Sequence, residues 1–315
     1  MSDSLAQIAG IDIAKDHLDV HLHPSGATRR VSNDKAGSKA LLHWFARQPV
    51  ERIVFEATGP YHRRLERALG AAGLPFAKIN PRQARRFAEA TGRLAKTDRV
   101  DAALLARLGA LLQPEPREPK SQGLDELTEL VAARRALVKD RTACRNRAKI
   151  VTISLLKSQA AQRLRQIETQ IAALDRLCRE RVASDQTLSP RLSILTSIPG
   201  LGEVTAIALL ADMPELGQIE PKQAASLAGL APVTRESGTW RGKSFIRGGR
   251  AHVRQALYMP ALVAVRFNEP LKTKYRALTG AGKPAKVAIT AVMRKLIVLA
   301  NALLRDHRKW SPQLA

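Results

Sequence analysis

Four acidic residues in the first third of the chain have the types and positions to hold a divalent cation. Asp12 lies in GIDIAKD, flanked by Ile11 and Ile13. A carboxylate inside such an apolar run is costly unless it is paired or binds metal. Glu56 ends a second apolar run, RIVFE. Asp98 and Asp101 lie three residues apart in KTDRVDA, a spacing that puts both on one face of a helix. Oxygen donors drawn from separate elements suit Mg²⁺ or Mn²⁺. Two such ions about 3.5–4 Å apart serve both the attacking and the leaving oxygen of a phosphoryl transfer. Each acid alone reads as structural, Asp98 for instance as a helix cap. The order Asp, Glu, Asp-x-x-Asp makes a metal site the better reading of the set. Asp16 and Asp19 read as hairpin or solvent-face residues. Glu51, Glu66 and Glu89 are expected on exposed positions.

A second constellation lies near the C-terminus. Ser237 precedes Gly238, with Arg235, Arg241, Lys243 and Arg247 around it and Arg254 a little further on. Such cations can bind a phosphate and its developing charge. A serine hydroxyl is a weak nucleophile and needs a base or metal. His252 is the nearest histidine in sequence. From the residues alone, a basic loop whose serine makes one phosphate hydrogen bond fits as well.

The elements that must position these groups follow from periodicity. Residues 8–13, 17–23 and 28–32 read as strands, with Leu18, Val20 and Leu22 alternating with polar residues. Asn33 or Asp34 can cap a helix to residue 45. Strand 52–56, helix 61–72, strand 74–79, helix 81–90 and a helix from 97 or 98 complete an α/β unit with a mixed sheet. The proline-rich QPEPREP at 113–119 reads as a linker. One long helix is expected over 124–158. A 3-4-3-4 seam of Leu164, Ile167, Ile171, Leu174 and Cys178 follows, as in a helical hairpin or short coiled coil. Between Arg134 and Lys149 stand seven basic residues and one acid, among them Arg135, Arg141 and Arg145. They read either as a solvated face or as nucleic-acid contacts. The third part is mainly helical. Its Ile198-Pro199-Gly200-Leu201-Gly202 run resembles a helix-hairpin-helix, whose glycines let backbone amides approach a phosphate. A tight turn between core helices explains it equally. The expected divisions are 1–113, 114–187 and 188–315.

Composition agrees with a polyanionic partner. The 315 residues carry 52 Lys+Arg against 28 Asp+Glu, a formal charge of +24. Residues 222–310 hold 18 of those cations and three acids. The first residues lack a basic stretch followed by an apolar one, and no apolar run approaches a membrane span, so a cytoplasmic protein without a membrane role is expected. Cys144 and Cys178 form no CxxC or Cys/His cluster, which fits a reducing compartment. Aromatics, at 4%, are too few for binding by rows of stacked rings.

The acids in their strand–helix order resemble the RNase H-like fold of RuvC-type nucleases. The whole chain resembles the DEDD transposases of the Piv invertase-like insertion-sequence family, whose best-understood members are guided by a bridge RNA. GIDIAKD, VFEATG, KTDRVDA, IPGLG, LAGLAPVTRESG and the closing RQALY carry the resemblance in order. The family usually has Asn after the glycine at 248, where this chain has Gly249-Arg250. The resemblance implies that Asp12, Glu56, Asp98 and Asp101 are the metal ligands and that Ser237 becomes covalently attached to DNA. It also implies a non-coding RNA partner and a homo-oligomer, dimer or tetramer, in which the acids of one subunit meet the serine of another.

Overall fold

The computed structural model describes residues 6–56, 59, 61–92, 98–116, 121–234, 236–242 and 244–312, with only the backbone of 98–100 and 240–241. The chain divides into two compact units, Met1–Lys120 and Ser121–Ala315.

The first unit begins with β1 (Gln7–Ile13), β2 (His17–His23) and β3 (Thr28–Ser32). Then follow α1 (Lys35–Phe45), β4 (Val50–Glu56), α2 (Arg63–Ala71), β5 (Phe76–Ile79), α3 (Pro81–Ala90) and α4 (Asp98–Leu112). The sheet order is β3-β2-β1-β4-β5. The first three strands meander antiparallel, and β1, β4 and β5 run parallel. This is the mixed sheet expected from the sequence. Alternation sends Ile11, Leu18, Val20, Leu22 and Phe55 to one face, where Leu41 and Phe45 of α1 and Leu65 and Leu69 of α2 cover them. The other face carries Ile8 and Val54 against Leu105 and Leu108 of α4. Asp34 is the cap of α1, its carboxylate accepting from Gly37 N at 2.7 Å. Asn33 instead ties Ala14 O and Tyr61 O, at 2.8 and 3.2 Å.

Helix α4 lies unusually close to the sheet. A Cβ on Gly10 would stand 2.1 Å from Ala102 O and 2.3 Å from Ala106 N. One on Gly109 would meet Ile8 and Val54 side chains at 2.7 Å. Only glycine at both positions permits this approach. Ala102 and Ala106 lie over Gly10, and Gly109 lies over Ile8, so α4 runs antiparallel to β1.

The second unit opens with α5 (Gln122–Ala148) and α6 (Ser154–Ala183). The single helix expected over 124–158 is therefore two. Ile150-Val151-Thr152-Ile153 is an unbroken β-branched run, which crowds the preceding turn and ends the first helix. The two helices fold back antiparallel, pairing Glu126 with Arg181 and Arg145 with Glu168. Cys144, Ile167 and Ile171 are buried in their seam. Leu127, Val131, Cys178 and Val182, near the open end, join the main core of this unit.

That core is built with α7 (Leu188–Thr196), α8 (Glu203–Asp212) and α9 (Pro221–Leu227). Four two-residue strands follow: β6 (Pro232–Val233), β7 (Glu236–Ser237), β8 (Trp240–Arg241) and β9 (Phe245–Ile246). The unit closes with α10 (Ala251–Phe267), α11 (Glu269–Gly280) and α12 (Ala285–Arg305). Among the described residues only α12 is long and apolar enough to cross a membrane, and its apolar face, with Val292, Leu296, Ile297 and Leu303, is buried in the core.

Candidate active site

The register of the first unit decides where its acids lie. Ile11 pairs with Phe55, so one residue further Asp12 stands beside Glu56. Both belong to the face that carries Gly10 and Val54, the face covered by α4. Asp12 is two residues beyond Gly10, about 7 Å along the strand. That distance is a little over one turn of helix, about 5.4 Å. Counting back from Ala102 and Ala106, it brings the start of α4, with Asp98 and Asp101, level with Asp12. Two strand ends and a helix start thus share one end of the fold. Asp12, Glu56 and Asp101 are half-buried, and none of the three is without a partner in the fold. The side chain of Asp98 lies outside the described residues. Among the described residues no three His, Cys, Asp or Glu side chains close into a metal-sized cluster.

Two neighbouring acids differ from the sequence expectation. Asp19 is buried rather than solvent-facing and lies directly across from Asp12. Arg30, its partner on β3, grips it with two hydrogen bonds of 2.7 Å, and His17 Nε2 lies 3.4 Å away. A bidentate guanidinium satisfies that carboxylate and accounts for its burial. Glu66 is buried as well, held by Lys78 at 2.7 Å and facing His62 at 3.6 Å. Burial first, and Lys78 second, hold the His62 imidazole below its ordinary range. Glu51 and Glu89 are exposed, as expected.

In the second unit, β6 pairs with β9 and β7 with β8, so these four short strands make antiparallel pairs, termed the ribbon. Ser237 pairs with Trp240 around Gly238 and Thr239, and Gly238 has φ +57°. A glycine at the first turn position with positive φ is what a two-residue hairpin requires. Ser237 is exposed at the tip, and Arg247 is exposed just beyond the ribbon. Arg235 and Lys243 lie outside the described residues, and Arg241 is described only as backbone in β8.

The ribbon's return leg is fastened by Arg250, His252 and Arg254 to partners distant in sequence. Arg250 donates from Nη1 to Asp212 O and from Nη2 to Glu215, both at 2.6 Å. The Asp212 carboxylate takes His252 Nε2 at 3.3 Å and Arg135 Nη2 at 3.1 Å. Burial pushes the Asp212 carboxyl up, but His252 and Arg135 outweigh it and hold it below the usual range. Arg254 donates to Gly229 O and Gly248 O, at 3.2 and 3.0 Å. His252 and Arg254 therefore serve as anchors here.

Of the remaining basic candidates, Arg134 is paired with Asp175, and Arg145 with Glu168 at 2.6 Å. Arg141 is half-buried on α5. Gly200 has φ +101°, and a Cβ there would meet Pro260 O at 2.7 Å, so packing against α10 already demands glycine. Gly202 is the N-cap of α8, with open space around it.

Comparison with known proteins bears on the whole chain. A transposase family model, the DEDD transposases of IS110 type, matches residues 9–158. A second, described as the transposase IS116/IS110/IS902 family, matches residues 192–276. A pilin gene-inverting protein of Moraxella bovis is 31% identical over 97% of this chain and 98% of its own length. A protein of insertion element IS110 from Streptomyces coelicolor is 35% identical over 50% of this chain and 37% of its own. Among solved structures, Thermus thermophilus RuvC in complex with a Holliday junction substrate aligns with 36% of this chain and 99% of its own, at 14% identity and a TM-score of 0.28. A likeness that loose adds nothing to the observed sheet order. The family matches and the end-to-end relative establish that this chain belongs to the IS116/IS110/IS902 family of transposases, enzymes that cut and rejoin DNA.

Proposed function

We propose that this transposase moves or inverts DNA by strand exchange through a phosphoserine link at Ser237, supported by metal held on Asp12, Glu56, Asp98 and Asp101. We read the first unit as RNase H-like, on the strength of its β3-β2-β1-β4-β5 sheet and the DEDD family match. The observation that carries the reading is the register that sets Asp12 beside Glu56 under the start of α4. These are hard oxygen donors from three elements, which fits Mg²⁺ or Mn²⁺ by donor type. A divalent ion bound by these carboxylates would supply Lewis-acid charge stabilisation at the reacting phosphate.

The protein's own part is as follows. Exposed on a short ribbon, Ser237 can reach a phosphate presented from outside its own unit. Its Oγ forms a bond to phosphorus as one phosphodiester P–O bond breaks, and the departing strand oxygen takes a proton. The hydroxyl of another strand then attacks the same phosphorus and releases the serine. One phosphoester bond is made for each one broken, so no nucleotide hydrolysis is needed. The end-to-end relative named for inverting a pilin gene supports a rejoining outcome over simple hydrolysis. A guide RNA, and a homo-oligomer in which one subunit's acids serve another's Ser237, complete the reading on the family resemblance.

The test is a denaturing gel of protein incubated with labelled element-end DNA and Mg²⁺. Wild type is expected to form a covalent adduct that Ser237→Ala abolishes. Cleavage by Ser237→Ala at the wild-type rate would make the protein a water-using nuclease instead.

A further inference from the structure

A groove between the start of α9, α11 and α12 is lined by cations with no acid among them. Its volume is about 400 Å³. Lys222, Lys274, Arg294 and Lys295 line it, over an apolar floor that includes Leu278 and Val298, and no acidic side chain does. Several other cations of this unit do face an acid: Arg134 pairs with Asp175, Arg135 with Asp212, Arg145 with Glu168 and Arg250 with Glu215. Four like charges converging on a concave surface repel one another, and low-dielectric walls focus their field. No carboxylate in the lining offsets that repulsion, and a polyanion seated there would relieve it.

We propose that this groove is a second nucleic-acid site, which holds the phosphate backbone of duplex DNA away from the reacting phosphate. Three features favour a backbone over a small anion. The cations are spread over three helices rather than focused on one point. Lys222, Lys274 and Lys295 are exposed, without the buried donor that would select a compact ion. The wall between them is apolar, and phosphate contacts of this kind fix position without reading sequence. Duplex DNA is the polymer on which this family acts. The site does not depend on the serine reading.

The experiment is equilibrium binding of fluorescent duplexes of unrelated sequence over a range of salt. The probe protein is the full chain carrying Lys222→Gln, Lys274→Gln, Arg294→Gln and Lys295→Gln. The slope of log K against log salt is expected to become shallower by roughly 3–4, with equal loss on every sequence. A charge-conserving set, Lys222→Arg, Lys274→Arg, Arg294→Lys and Lys295→Arg, is expected to keep the wild-type slope. If the quadruple Gln variant melts early, the Lys222→Gln/Lys295→Gln pair is expected to lose roughly half as much slope. An unchanged slope in a folded variant overturns the proposal. So does a loss confined to RNA probes of equal charge. Ser237→Ala is expected to keep the full slope, so failure of the serine chemistry and failure of this site are read separately.

Discussion

Replacing Gly10 by alanine tests how the first unit sets its acids. The new Cβ would stand 2.1 Å from Ala102 O, 2.3 Å from Ala106 N and 2.9 Å from Ala106 Cα. All three are backbone atoms of one helix, so no side chain can rotate away. Reaching a tolerable contact of about 3.2 Å requires α4 to retreat by roughly 1 Å, because interiors have no slack to absorb it. Overpacking of this kind costs about 3 kcal/mol, the upper end of the usual range. Against an ordinary stability of roughly 5–15 kcal/mol the chain still folds. The first unit is expected to melt roughly 10 °C lower. Because α4 carries Asp98 and Asp101, a shift of about 1 Å is expected to lower strand exchange by roughly 100-fold at a temperature where the variant is folded. Gly280→Ala, which meets nothing within 4 Å, is the control and is expected to change neither quantity. Calorimetry and a plasmid excision assay read the two effects. Full activity and an unchanged melt in Gly10→Ala would refute the close seating of α4 on β1 and the alignment derived from it.

Asp212→Asn removes the carboxylate shared by Arg135 and His252, and is expected to cost about 3 kcal/mol in urea unfolding at pH 7. Since the folded carboxyl is held below its ordinary range, that contribution is full above about pH 4 and is lost as pH falls through the folded value. The difference between variant and wild type should therefore shrink toward pH 3. His62 has the same sign of shift with the opposite charge. Burial favours its neutral form, so its contribution is full above about pH 6.5 and falls away as pH drops toward the lower folded pKa. Wild type is expected to lose more stability than His62→Gln between pH 7 and pH 5, and equal losses would show that His62 is not buried in its neutral form.

The parts of the fold that were legible were those fixed by local pattern. Alternating Leu18, Val20 and Leu22 gave β2, and the helix read over 81–90 is α3, whose cap Asn80 accepts from Arg82 N at 2.9 Å. The parts that were not depended on contacts across the chain. Asp19 looks like a surface acid until the β2–β3 register sets Arg30 beside it. Glu66 looks like an exposed helix acid until β5 brings Lys78. Arg134, Arg135 and Arg145 read as free cations because their partners, Asp175, Asp212 and Glu168, lie 23 to 77 residues away. The unusual Gly249-Arg250 pair gave no hint that Arg250 would clamp Asp212 and Glu215. The one boundary misread in the helical pair, at 149–153, did carry a local signal in its β-branched run.

The metal chemistry can be measured without any DNA. Titration of Mn²⁺ into the full chain, followed by electron paramagnetic resonance of the free ion, compares wild type with the Asp12→Asn/Glu56→Gln variant. Wild type is expected to bind the ion, and the variant to lose at least roughly tenfold in affinity. Equal binding by the two proteins would mean that the strand-borne pair holds no metal.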